Sequence, residues 1–321
     1  MKNKLKTVIR AIISILLIVC IGNIGVRIYF DYESRKDDEA DEMIAQAQYL
    51  ANAMRVTKDL EERGIEIKQS YKDMINKNGK RLINLRSQRV LQVTTIGEML
   101  YISNELDQSK NNKLLAKLEE YYDKDRKLFA VYPCKGYQKE EDKNEGVWIT
   151  FSITLYNELK GTNFLDKYQL EEGFAQWYNA HIKEEKCEDD LIDIFWLLYD
   201  NNRLDLIDAN TICPLLKDRV LEDEKYLKDT KENSMSAIFC VDEIDSYYSY
   251  FDKSDAYTGC AEKIFAKINS AKQLEYDKED SSFVQFLCIM LESIDNVEQN
   301  SFFVNNIGTY LEENYRNTYL N

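Results

Sequence analysis

A chain of 321 residues with 44% hydrophobic and 12% aromatic residues against 31% charged carries enough apolar surface to fold, which rules out disorder throughout. Its 11 Gly and 2 Pro are too few for the turns of a β-sandwich, a Rossmann-type fold or a loop-built barrel, and helices joined by short polar loops are left. A net charge of −15 repels phosphate and excludes nucleic acid as a partner.

At the N-terminus Lys2, Lys4, Lys6 and Arg10 precede an apolar run from Ala11 to Ile28, broken by Ser14, Asn23 and Arg27. This predicts one transmembrane helix over 8–30, with 1–7 as a cytoplasmic tail and the rest of the chain outside the cytoplasm. The membrane is thus an expected partner. A cleaved signal peptide is the rival reading, against which Cys20-Ile21-Gly22 is a poor cleavage site. Val19 stands where a lipoprotein needs a small residue.

Residues 31–90 are expected to form a helical stalk. Ala47, Leu50, Ala51 and Met54 recur at helical spacing, Gly64 marks a bend and Asn78-Gly79 a turn. Lys77, Lys80, Arg81, Arg86 and Arg89 gather without an acid among them. They read as a docking strip for an anionic partner, or as a solvated face.

From residue 91 onward the chain repeats itself. Asp208-Ala209-Asn210-Thr211-Ile212-Cys213 and Asp255-Ala256-Tyr257-Thr258-Gly259-Cys260 share Asp-Ala-x-Thr-x-Cys at a spacing of 47, and Phe239-Cys240 is echoed by Leu287-Cys288 at 48. Leu165-Asp166 begins an earlier copy, and Met99 to Ile102 followed by Leu114 to Leu118 a fainter one. Each copy reads as helix, polar break, capping Asp, helix, with Asp166 and Gln169 forming a capping box. Two helices per period of 40 to 50 residues predict a solenoid or ring without strands.

Phe151 to Leu159, a short turn and Leu165-Asp166 leading into Leu170 to Trp177 resemble one unit of the α/α toroids, the ring folds of terpenoid cyclases, protein prenyltransferase β-subunits and complement-type thioester domains. The resemblance implies an inner ring of helices around a cavity and an outer ring enclosing them. The family's chemical signatures do not accompany it: the Asp, Cys and His of a prenyltransferase zinc site and the Gly-Cys-x-x-Gln of a thioester are missing. No cofactor and no metal are expected.

One histidine, His181, reads as a helix-end residue suited to the dipole and removes most triads and metal sites. Asp189-Asp190-Leu191-Ile192-Asp193 imitates a diphosphate-binding motif, but an acidic helix start explains it equally well. Asp242, Glu243 and Asp245 form a second acidic cluster. Cys213 is equivalent to Cys260 in the repeat, and Cys240 to Cys288; on stacked helices each such pair is too far apart for a disulfide, and all four read as small packing residues. Trp148, Tyr156, Trp196, Tyr199, Tyr247 and Tyr248 fall on first helices, where a toroid lines its cavity.

The expected protein is therefore all-α: a transmembrane helix and helical stalk, then αα-hairpin repeats over 91–321 forming a partial α/α toroid or solenoid. Its expected function is non-catalytic binding of a protein, peptide or other ligand on a concave face lined by Trp148, Tyr156, Trp196, Tyr199, Tyr247, Tyr248, Asp189 and Asp193. The alternatives are a surface-anchored enzyme acting on a glycan with paired carboxylates among Asp189, Asp190, Asp193, Asp242, Glu243 and Asp245, and a structural spacer.

Overall fold

The structure, a computed structural model, describes residues 40–85, 91–134, 142–157, 163–184, 187–229 and 302–319, together with Tyr247 and Val284. Among these residues the protein is all-α apart from one short hairpin. No described helix is long and apolar enough to cross a membrane. The expected membrane helix over 8–30 lies outside the described residues, as do the second Asp-Ala-x-Thr-x-Cys copy and Cys240, Cys260 and Cys288.

A helical turn over 40–45 leads into α1 (Ala47–Glu62), followed by α2 (Gln69–Ile83). The apolar stripe of α1 is wider than its sequence period suggests: Tyr49, Ala53, Val56 and Leu60 are buried alongside Leu50 and Ala51. So broad a stripe needs covering on more than one side. These helices therefore share one core with the segments beyond residue 91. α1 stops at Gly64 with φ 77. The Gly64 amide donates to the Glu61 carbonyl and that of Ile65 to Leu60, the paired closure that a left-handed glycine permits at a helix end. Gly79 is no turn: it lies within α2, buried, where a Cβ would meet Met54 Cε at 2.6 Å and Leu106 Cδ1 at 2.8 Å. A missing side chain lets three helices approach here. Lys77, Lys80 and Arg81 lie exposed on α2, with Arg86 and Arg89 outside the described residues.

α3 (Val93–Leu106) is buried almost throughout from Val93 to Ser103 and packs on α1, α2, α4 (Asn111–Glu119) and α5 (Asp142–Asn157). A helix apolar on nearly every side belongs at the centre of a core. Gly97 lets α5 come close, since a Cβ there would stand 3.1 Å from Ile153 Cγ1. Asn157 Nδ2 donates across the contact to the Gly97 carbonyl (3.3 Å). α3 and α4 form the helical pair expected from the faint early copy.

Between α4 and α5 lies an antiparallel hairpin that the repeat pattern does not anticipate: β1 (Tyr122–Asp123) pairs with β2 (Leu128–Phe129) in the register Tyr122 to Phe129 and Asp123 to Leu128. Its turn is built by Asp123, whose Oδ1 accepts from the amides of Asp125 and Arg126 and whose Oδ2 accepts from Arg126 Nε at 2.7 Å. The aromatic face of the hairpin is stacked with α6 (Phe164–Tyr168): Phe129 lies 5.8 Å from Phe164 and 5.2 Å from Tyr168 between ring centroids. Thr150 of α5 accepts from the Phe129 amide at 2.8 Å.

α7 (Leu170–His181), α8 (Glu188–Asp200) and α9 (Cys213–Asp229) follow. The break after α8 falls at Asn202, which is left-handed (φ 56), and the amides of Asn202 and Arg203 return to Tyr199 and Leu198. Asp208 accepts from the Asn210 amide (3.1 Å) and Thr211 Oγ1 (2.9 Å), capping a short 3-10 turn before α9, so the Asp and Thr of the repeated motif are used together. Asp166, by contrast, sits inside α6 and not before a helix. Gln169 is left-handed (φ 51) with no side-chain cap, so the expected capping box is not formed.

The chain then returns to its start. Tyr315 of α10 (Phe302–Tyr319) packs tilted against Tyr49 with centroids 5.4 Å apart, accepts from Asn78 Nδ2 and donates to Gln46 Oε1 at 3.4 Å. Lys68 and Glu312 add an ion pair at 3.1 Å.

Candidate functional site

Three helical faces converge beside Trp148. Asp41, Ile44, Ala45 and Gln48 follow one another at helical spacing, as do Thr94, Thr95 and Glu98 on α3 and Trp148 and Ser152 on α5. Together they enclose a cavity of about 600 Å³. A second cavity of about 630 Å³ adjoins it, lined by Val93, Tyr121, Val131, Tyr132 and Ile149. Leu91, Gln92, Thr94 and Trp148 belong to both walls. The first chamber is the more polar of the two, and the second is largely apolar. The β hairpin, whose β2 leads into Val131 and Tyr132, is fixed to this site by Tyr121, whose hydroxyl donates to the Leu91 carbonyl at 3.0 Å.

Two side chains define the chemistry. Trp148 is 58% exposed although it sits on an otherwise buried stretch of α5. Glu98 is only 7% exposed, and among the described residues no hydrogen bond or ion pair engages its carboxyl. Burial alone raises that carboxyl from 4.5 to about 7. A buried acid without a partner normally carries a cost, which a ligand supplying the partner removes.

Of the residues expected to line a binding face, only Trp148 lies on these walls. Tyr156 is core: it is buried, its hydroxyl donates to Asn52 Oδ1 at 3.0 Å, and its ring lies 5.9 Å from that of Tyr101. Tyr156→Phe is expected to lower stability by about 1–2 kcal/mol, because Asn52 loses this donor in a dry setting; urea denaturation measures it. Trp196 and Tyr199 pack edge to face on α8, centroids 5.7 Å apart and half-buried. Tyr247 is half-buried against the core, and Tyr248 lies outside the described residues.

The acidic run opens α8, with Glu188, Asp189 and Asp190 in its first turn. Asp189 is 81% exposed and paired with Arg219 of α9. Asp189→Asn is accordingly expected to change stability by less than about 0.5 kcal/mol in the same assay, since an exposed pair contributes little. Asp193 is crowded by neighbouring atoms yet still meets solvent; crowding first, then Asp190 and Asp189, raise its carboxyl. Asp242, Glu243 and Asp245 lie outside the described residues. Among the described residues no group of His, Cys, Asp and Glu could hold a metal ion. His181 ends α7 as expected, stacked on Trp177 at 4.3 Å with Nδ1 2.8 Å from the Trp177 carbonyl.

Glu98 was legible as an oddity, the one charge in the apolar run Val93 to Ile102. Its meaning depends on Trp148 and Asp41, distant in sequence. Comparison with family models, with curated proteins and with solved structures finds no match to this chain.

Proposed function

We propose that the protein is a binding protein whose paired cavities beside Trp148 hold a ligand without transforming it, carried at a membrane surface by the apolar segment 8–30 with residue 40 onward outside the cytoplasm. The observation that carries the reading is the conjunction of an exposed Trp148 with a buried Glu98 that has no partner among the described residues, both on the wall of one cavity. Tryptophan supplies a rigid apolar plate at little entropic cost, and a few convergent polar groups fix orientation, which is the make-up of a ligand pocket. The helix pairs at 93–119, 142–181 and 188–229, and the return of α10 to α1 and α2, support αα-hairpins stacked into a partial toroid or solenoid. A protein or peptide partner fits the site as a side-chain donor.

The test labels the three tryptophans with 5-fluorotryptophan in the full chain and assigns the Trp148 resonance through Trp148→Phe. A set of aromatic amines, acids, alcohols and monosaccharides is then titrated by ¹⁹F NMR. The expected result is a saturable shift of Trp148 with at least one class while Trp177 stays fixed. Silence of Trp148 toward every class, or equal shifts at all three tryptophans, contradicts the reading.

A further inference from the structure

The two chambers differ in a way that specifies the chemistry of their occupant. In the first, Glu98 is only 7% exposed, has no partner among the described residues, and lies on the cavity wall with Trp148 and the hydroxyl-bearing Thr95 and Ser152. A desolvated carboxylate recovers most when a cation arrives at hydrogen-bond distance. An indole face beside it attracts an organic cation and gives nothing to an anion. The second chamber, walled by Val131, Tyr132 and Ile149, suits an apolar body. The net charge of −15 also concentrates cations near the surface.

Resting on the binding reading above, we infer that the site takes an amphipathic ammonium, its –NH₃⁺ group at Glu98 beneath the Trp148 ring and its apolar part in the chamber of Tyr132 and Ile149. The same group can come from a small free amine or from a lysine side chain of a polypeptide.

Among the described residues, Asp41 and Glu98 are the charged groups that line this cavity. Asp41 shares the cavity wall, and α5 carries no charge between 146 and 157. Lys58 of α1 pairs with Glu105 two turns along α3 at 3.9 Å, and Lys80 of α2 acts on Asp107 at the far end of that helix. Proton and ammonium therefore compete for the Glu98 carboxylate, while Asp41 on the same wall adds a second negative group. With the Glu98 carboxyl at about 7, amine affinity should rise about 30-fold between pH 5.5 and 8.

The experiment measures binding to the full chain of phenethylamine, which stays protonated over this range, against phenethyl alcohol and 3-phenylpropionate. A second arm compares acetyl-Phe-Lys-amide with acetyl-Phe-norleucine-amide. We expect at least a tenfold preference for the ammonium member of a pair at pH 8, lost in Glu98→Gln. That variant changes the net charge by one unit in fifteen, so general attraction persists while the local partner goes. The arm that shows the preference supports the proposal and identifies the source. Equal binding of amine and alcohol with no lysine preference overturns it, as does a preference that survives Glu98→Gln. The ¹⁹F signal of Trp177 reports whether the variant is folded. Binding of alcohols alone would leave the pocket reading standing and remove the ammonium; binding of nothing would remove both.

Discussion

Gly173→Ala is expected to destabilise the protein by about 2–3 kcal/mol, the largest effect of any single methyl group we can place. A Cβ at this position would stand 2.3 Å from the Lys127 carbonyl oxygen and 2.8 Å from that of Arg126. Both are backbone atoms of the hairpin turn, which Asp123 holds through three hydrogen bonds, so neither can yield as a flexible side-chain end would. Alanine's better helix propensity returns about 1 kcal/mol, against an overpacking cost of about 3 kcal/mol or more. Gly79→Ala makes the informative contrast, because the atoms it meets, Met54 Cε and Leu106 Cδ1, end flexible side chains. Urea midpoints should place Gly173→Ala well below Gly79→Ala; the reverse order would mean that the hairpin does not rest on α7.

The second large effect concerns Glu98 and pH. Its carboxyl is raised by burial from 4.5 to about 7, so the folded state binds a proton more tightly than the unfolded chain does. The resulting contribution to stability is fully present below pH 4.5 and is lost as pH rises through about 7. Glu98→Gln has no such loss. The variant and the unaltered protein should therefore differ little at pH 4, and the variant should gain with rising pH to a ceiling of about 3 kcal/mol at pH 8. Taking the difference removes the contributions of the other carboxylates. A difference that is flat between pH 4 and 8 would show that Glu98 is solvated or already partnered.

Helices were legible because the chain has few residues that break them, and Gly64 and Asn202 stop theirs by left-handed conformations that glycine and asparagine tolerate best. The cap by Asp208 was legible for the same local reason. Gly79 misled because a glycine beside asparagine signals a turn just as readily as a close helix crossing, and only the neighbours Met54 and Leu106 decide which. The hairpin at 122–129 escaped notice because each strand contributes two residues, too few for alternation to register. Its stability comes from Phe164, Tyr168 and Thr150, all distant in sequence. What covers α1 and α2 was not legible, because an amphipathic helix shows that it has a face to bury without showing what covers it.

The site divides in the same way. Trp148 could be chosen as one aromatic residue among several on helices, but periodicity cannot distinguish it from Tyr156, which lies one helix turn beyond Ser152 and is buried against Asn52. Exposure separates them, and exposure depends on α1 and α3. Asp189 and Asp193 stood out as a motif, whereas Glu98 stood alone, and the solitary carboxyl is the one enclosed by a cavity.

The most direct measurement places a paramagnetic ammonium in the pocket. With 4-amino-TEMPO titrated into the 5-fluorotryptophan-labelled full chain at pH 8, the Trp148 resonance should broaden at low probe concentration. The Trp177 and Trp196 resonances should stay sharp, and Glu98→Gln should restore the Trp148 line. Broadening of all three tryptophans alike, or of Trp148 regardless of what stands at position 98, would contradict a cation site between residues 41–48, 91–98 and 148–152.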